Sequence, residues 1–220
     1  MNKGTQNENS DTLFFEALMN NIMEGVKTPK VQIERVVGPI LGFFIKDIIS
    51  SLLNYEDLII LGAEFPLRKL DNNQSTNIDW LMYSKTDNKL LFVELKTTVT
   101  SLSTAQALSY DEIQAKIRKG TTGAEFLKLD VSKIMGASKE KEKYTSVWNK
   151  IKDINFSVID NSQIIYIAPK AAKNRFSKIP CRDAVFYSFA DLAIDEGKNI
   201  PFRRQWEILQ KILCELDGKS

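Results

Sequence analysis

The residues with chemistry to offer sit close together near the middle of the chain. Asn77-Ile78-Asp79-Trp80 is followed, after a polar turn, by Phe92-Val93-Glu94-Leu95-Lys96-Thr97-Thr98. Glu94 and Lys96 are two apart in a run that reads as a strand, so both project from one face, with Val93 and Leu95 on the other, toward the core. Asp79 lies on the preceding strand. If Thr86-Asp87 forms a two-residue turn, Asp79 stands opposite Glu94; if Asp87-Asn88 does, it stands opposite Lys96. Either register brings the three side chains onto one face, and a slip of one residue destroys the cluster. Neighbouring carboxylates resist joint ionisation unless a cation intervenes. Mg2+ suits such a pair, being hard, oxygen-seeking and inclined to keep waters and phosphate oxygens around it. Mn2+ favours similar ligands and is expected to substitute. Lys96 can orient a water or offset charge on a phosphate. A solvated amphipathic hairpin with a cross-strand ion pair would give the same short pattern. The apolar character of residues 89–98, which suits a central strand, argues against it.

Composition narrows the chemistry further. The 220 residues include no histidine, which removes Ser-His-Asp and Cys-His triads and His-containing zinc sites. Cys181 and Cys214 are the only cysteines, too few for a disulfide framework; they read as inert thiols and fit a reducing cytoplasm, the expected location. Hydrophobic residues make up 43% and charged ones 26%, which excludes global disorder and collagen-like classes. The opening MNKGTQNENSD lacks the apolar segment of a secretory signal, and no apolar run is expected to reach the roughly 20 residues of a membrane span. Charge is uneven: residues 1–64 carry 5 bases against 9 acids, and residues 116–182 carry 15 bases against 6. A basic second half is compatible with a polyanionic partner, although a solvated lysine-rich helix surface would look the same.

The elements that must position the cluster follow from periodicity. Residues 1–10 read as a disordered tail and 11–220 as one domain. Asp11-Thr12 predicts a helix cap before residues 12–24, and Thr28-Pro29 begins a second helix reaching about Leu53. Strands are predicted from Leu58 to Leu67, from Asn77 to Tyr83 and from Lys89 to Thr98. A helix from Ser101 or Ser103 reaches Lys119 and ends at Gly120. Residues 122–153 read as two helices broken near Gly136. Ile164–Ile167 and Ala184–Ser188 are further strands, and Phe202–Leu216 is an amphipathic last helix. The result is an α/β fold with a small mixed central sheet flanked by helices and with extra N- and C-terminal helices.

An acidic helix, a strand, Ile78-Asp79, then Glu94-Leu95-Lys96 and a helix together resemble the PD-(D/E)XK nuclease superfamily. The helix that follows carries Gln106-Ala107-Leu108-Ser109-Tyr110, which looks like the QxxxY element of RecB-type exonucleases; Gln106 and Tyr110 are four apart and share a helix face. The resemblance implies a restriction-endonuclease-like core. It also implies Mg2+ held by Asp79, Glu94 and the Leu95 main-chain carbonyl, with Glu34 from the early helix completing the site. Lys96 would assist the attacking water, with Gln106 and Tyr110 beside it. The implied activity is Mg2+-dependent hydrolysis of phosphodiester bonds, with DNA as the expected nucleic-acid partner and a homodimer or larger complex as an open arrangement. The alternative is a catalytically silent protein of the same fold that binds nucleic acid or a protein. Ile78 replaces the family's usual proline, and the histidine that often precedes the core in RecB-type enzymes is missing. Glu64, at the end of the first strand, is a further acid within reach.

Residues 168–182 hold five bases and no acid directly after a strand. Lys170, Lys173, Arg175 and Lys178 are candidate contacts for a phosphate backbone, with Phe176 either stacking on a base or tucked into the core. Trp80, Trp148 and Trp206 fall in apolar patterns and read as core.

Overall fold

Runs that alternate between two buried faces give this chain its centre: a five-stranded mixed sheet in the order β1-β2-β3-β4-β5. The strands are β1 (Leu58–Arg68), β2 (Ser75–Ser84), β3 (Lys89–Leu95), β4 (Asn161–Ala168) and β5 (Ala184–Ser188). The computed structural model describes residues 4–26, 33–68, 75–120, 122–139, 141–181 and 183–219. β1, β2 and β3 pair antiparallel, whereas β3, β4 and β5 pair parallel, so β3 is the junction between the two halves.

Helices cover both faces. On one side α1 (Gly4–Val26), α2 (Ile33–Leu53) and α7 (Arg203–Lys219) pack Met19, Leu41, Phe44, Ile48 and Trp206 onto Trp80, Met82, Val93 and Ile165. On the other side α3 (Thr104–Lys119), α4 (Phe126–Ala137) and α5 (Lys141–Ile151) bring Ile113, Ile117, Leu127 and Ile151 onto Leu81, Phe92 and Ile164. A four-residue helix, α6 (Lys173–Phe176), follows β4. This is an α/β protein with a mixed sheet between two helical layers. Burial on both sides explains why β3 reads as an almost unbroken apolar run.

Trp80 pairs with Val93 and Ser84 with Lys89, which continues the register in which Asp79 stands opposite Glu94. The link is a four-residue loop, 85–88, rather than a two-residue turn. Asn88 takes the positive φ, and the Ser84 hydroxyl donates to the Asp87 carboxylate at 2.8 Å. The loop keeps the same centre as the Thr86-Asp87 turn, so the register is unchanged.

Several expectations need correction. The first helix begins at Gly4, inside the expected tail, since residues 4–10 continue its helical backbone without a break. β3 ends at Leu95, three residues before Thr98, because the chain turns into a short 3-10 segment at Val99–Ser101. Glu34–Leu53 is long and apolar enough by length and composition to cross a membrane, contrary to the expectation that no run comes near that length. Its inner residues Val37, Leu41, Ile45 and Ile48 are buried against the sheet. The expected start at Thr28-Pro29 lies outside the described residues. Trp80 and Trp206 are core; Trp148 is half-buried at its margin.

Candidate active site

The cluster forms where β2 and β3 part at the end of the sheet. Beyond Trp80, the Leu95 amide donates to the Asp79 carboxylate at 2.6 Å instead of to a strand. Lys96 is held one step further on by its amide, which donates to the Ile167 carbonyl of β4 at 2.8 Å. The two backbone bonds fix Asp79, Glu94 and Lys96 relative to one another.

Glu94 is the hub. It is 2% exposed, and three donors reach it. Lys96 Nζ lies 2.5 Å from Oε1, Gln106 Nε2 donates to Oε1 at 2.7 Å, and the Tyr110 hydroxyl donates to Oε2 at 2.7 Å. Gln106 Nε2 also donates to the Tyr110 oxygen at 2.7 Å, so the i, i+4 pair acts as one unit on the carboxylate. Ser103 positions that unit: it caps α3 by accepting from the Gln106 amide at 3.3 Å. Oε2 keeps acceptor capacity beyond its bond to Tyr110.

The electrostatics follow from burial. Desolvation, then the neighbouring Glu94 charge, push Asp79 up to about 8, against a lowering bond from the Leu95 amide. Burial also raises Glu94, while Lys96, Tyr110 and Gln106 pull it down. Burial alone would lower the Lys96 ammonium, but the Glu94 carboxylate beside it outweighs that and holds it raised. Glu34 acts on both Asp79 and Lys96, which brings this helix-borne acid into the cluster.

A cavity of about 650 Å³ opens on this end of the sheet and is lined in part by Glu34, Glu64, Asp79 and Leu95. Glu94 and Lys96 do not line it, being 2% and 7% exposed. Glu64 sits within β1 at φ 49°, a left-handed conformation that is costly for a side chain of this kind. Among the described residues no group of three Asp, Glu, His or Cys side chains forms a ready-made metal cage. Mg2+ needs no such cage, because one or two carboxylates, waters and substrate oxygens suffice. Asp79, which faces the cavity, and Glu94 opposite it are oxygen donors of the kind such an ion takes.

The basic segment after β4 lies at the same end of the sheet. Arg175 Nε donates to the Leu102 carbonyl at 3.2 Å, which ties the segment to the loop between Lys96 and α3. Lys170, Lys173, Arg175 and Lys178 are all exposed. Phe176 packs on Tyr166 and Phe186, with ring centroids 5.7 and 5.2 Å away, so it is a packing residue and not a free stacking surface. Arg182 lies outside the described residues. Sequence reasoning missed Arg35, Phe43 and Lys150, which also line the cavity. Only the Phe43-Phe44 pair held a signal: the helical period of Leu41, Phe44, Ile45 and Ile48 on α2 turns Phe43 outward. Compared with models of known families, with curated proteins and with solved structures, the chain matches none.

Proposed function

We propose that this protein is a Mg2+-dependent nuclease of the PD-(D/E)XK kind that hydrolyses phosphodiester bonds of DNA. The observation that carries the reading is the convergence of Gln106, Tyr110 and Lys96 on Glu94, with Asp79 alongside and facing a cavity. Asp79 and Glu94 would hold the ion, with the Leu95 carbonyl and Glu34 next to them. The ion would supply charge for the phosphate and an acidified water. With a cation beside Glu94, the Lys96 ammonium is free to swing from Oε1 toward the attacking water or the phosphate. Gln106 and Tyr110 keep the Glu94 carboxylate oriented. The exposed bases of residues 170–178 would track the phosphate backbone.

Labelled single-stranded, duplex and branched DNA, and RNA, incubated with Mg2+, Mn2+ or EDTA, test the reading. Cleavage that needs metal and disappears in Asp79→Ala and Lys96→Ala is expected. No cleavage of any substrate by folded wild type would refute it. A second reading, a silent fold that binds nucleic acid or a protein, draws on one observation: Lys96 and Glu94 are engaged with each other and nearly closed to solvent. It requires salt-dependent binding without cleavage or a Mg2+ site.

A further inference from the structure

The cavity beside Asp79 has an unusual wall. Phe43, on the outer side of α2, is 78% exposed, while its neighbour Phe44 is 4% exposed and packs on Trp206 with ring centroids 5.5 Å apart. Phe43 therefore contributes little to the core, yet it lines the same cavity as Asp79. Trp80 lies behind it, with its indole close against α2: a Cβ added at Gly42 would come within 3.4 Å of Trp80 Nε1. Arg35, on α2, and Lys150, at the end of α5, bring exposed positive charge to the same cavity.

A planar apolar surface and two cations, beside the acids Glu34, Glu64 and Asp79 that would face a metal ion, match an unpaired nucleotide whose phosphate is bound through that ion. The base has a flat π-face that stacks on a phenyl ring, and the phosphates carry charge that the cations meet. A duplex hides its base faces in its own stack, so an exposed ring gains nothing from it unless a base is extruded. The volume of about 650 Å³ is ample for one nucleotide.

We infer that Phe43 is a stacking platform for an unpaired base, with Arg35 and Lys150 on the flanking phosphates, so that the strand to be cut enters the site single-stranded. This rests on the nucleic-acid reading above and names the substrate form that the cavity takes.

The test is binding, read apart from cleavage. Fluorescence anisotropy with a labelled oligodeoxythymidylate, and with a duplex of the same length, is measured in Ca2+ for wild type, Phe43→Ala, Phe43→Leu and Phe43→Trp. Phe43→Leu keeps apolar bulk without a stacking ring, and thermal melting checks that each variant is folded. Loss of one stacked base raises Kd about 5- to 150-fold. That loss is expected for the single strand in both the Ala and Leu variants, with Phe43→Trp close to wild type and duplex binding unmoved. Wild-type single-strand affinity in Phe43→Ala would overturn the inference, as would equal losses for single strand and duplex, or no binding of either by wild type. Metal-dependent cleavage indifferent to Phe43 would overturn it while leaving the nuclease reading intact. Ring-dependent single-strand binding without any cleavage would do the reverse.

Discussion

Replacing Lys96 by methionine keeps most of the side chain's length and removes its charge. The ammonium lies 2.5 Å from Glu94 Oε1, with side-chain exposures of 8% and 2%. Without it, a buried carboxylate keeps two neutral donors, Gln106 and Tyr110, and no counter-charge. Breaking a buried pair from one side costs about 3–5 kcal/mol. For a chain of this length each kcal/mol moves the melting temperature by about 2–4 °C, so Lys96→Met is expected to melt roughly 6–20 °C below wild type at pH 8. Burial already raises Glu94 above its ordinary value of 4.5, and losing Lys96 raises it further. A group raised in the folded state binds its proton more firmly there than in the unfolded chain. Stability therefore falls as pH rises above about 4.5 and returns as the carboxyl is neutralised on acidification. The deficit should shrink toward pH 5, and Mg2+, by restoring a positive charge, should stabilise the variant more than wild type. Thermal melts from pH 5 to 8, with and without Mg2+, read all of this. A variant that melts with wild type at every pH would refute the argument that the pair carries a buried charge. A pH-dependent deficit that Mg2+ leaves untouched would refute the assignment of the carboxylates to a cation.

Other outcomes follow from the same geometry. In wild type without metal, Asp79 is pushed up to about 8 from an ordinary 3.8, so native protein holds an extra proton between those values and stability should decline as pH rises from 4 to 8. At about 1.4 kcal/mol per pH unit the ceiling is about 6 kcal/mol, and water reaching this partly exposed carboxyl reduces it to a few; Asp79→Asn should flatten the slope of a denaturant series across pH. Tyr110→Phe removes a 2.7 Å bond to a buried carboxylate and is expected to cost about 2 kcal/mol in urea unfolding, with loss of cleavage exceeding any loss of DNA binding. Removing Lys170, Lys173 and Lys178 together should lower the slope of log K against log salt for single-stranded DNA by about 2, as measured by anisotropy titration.

What was legible in the sequence was what obeys short-range rules. The shared face of Asp79, Glu94 and Lys96 followed from side-chain alternation in either register left open by the polar turn; the structure takes the one that places Asp79 opposite Glu94, with a four-residue loop centred where the Thr86-Asp87 turn would be. Gln106 and Tyr110 were legible as a pair through their resemblance to the QxxxY element, their i, i+4 spacing giving only a shared helix face, and their target, Glu94, needed the tertiary path of α3. The end of β3 was not legible, because Thr97 and Thr98 suit a strand and only the turn toward α3 stops it. Which of two adjacent phenylalanines faces inward was legible, since the period of α2 puts Phe44 with Leu41 and Ile48; that Phe43 lines the cavity beside Asp79 was not, because that depends on how α2 packs against β1 and β2. The closure of Lys96 against Glu94 depends on β4 reaching the Lys96 amide, a contact across residues 96–167 that no local pattern announces.

The change from antiparallel to parallel pairing at β3 has a consequence for how the molecule assembles. β2 and β3 are joined by residues 85–88, whereas β3 and β4 meet only after residues 96–160 have been placed. By loop-closure entropy the second meeting costs about 2.5 kcal/mol more than the first. The hairpin that brings Asp79 opposite Glu94 is thus the more local and less costly closure, and the meeting of β3 with β4 and its basic segment is the more distant one. If the proposed cation site is real, a divalent ion present during refolding would favour the more local of the two closures, in the rate at which the chain folds and not only in its final stability.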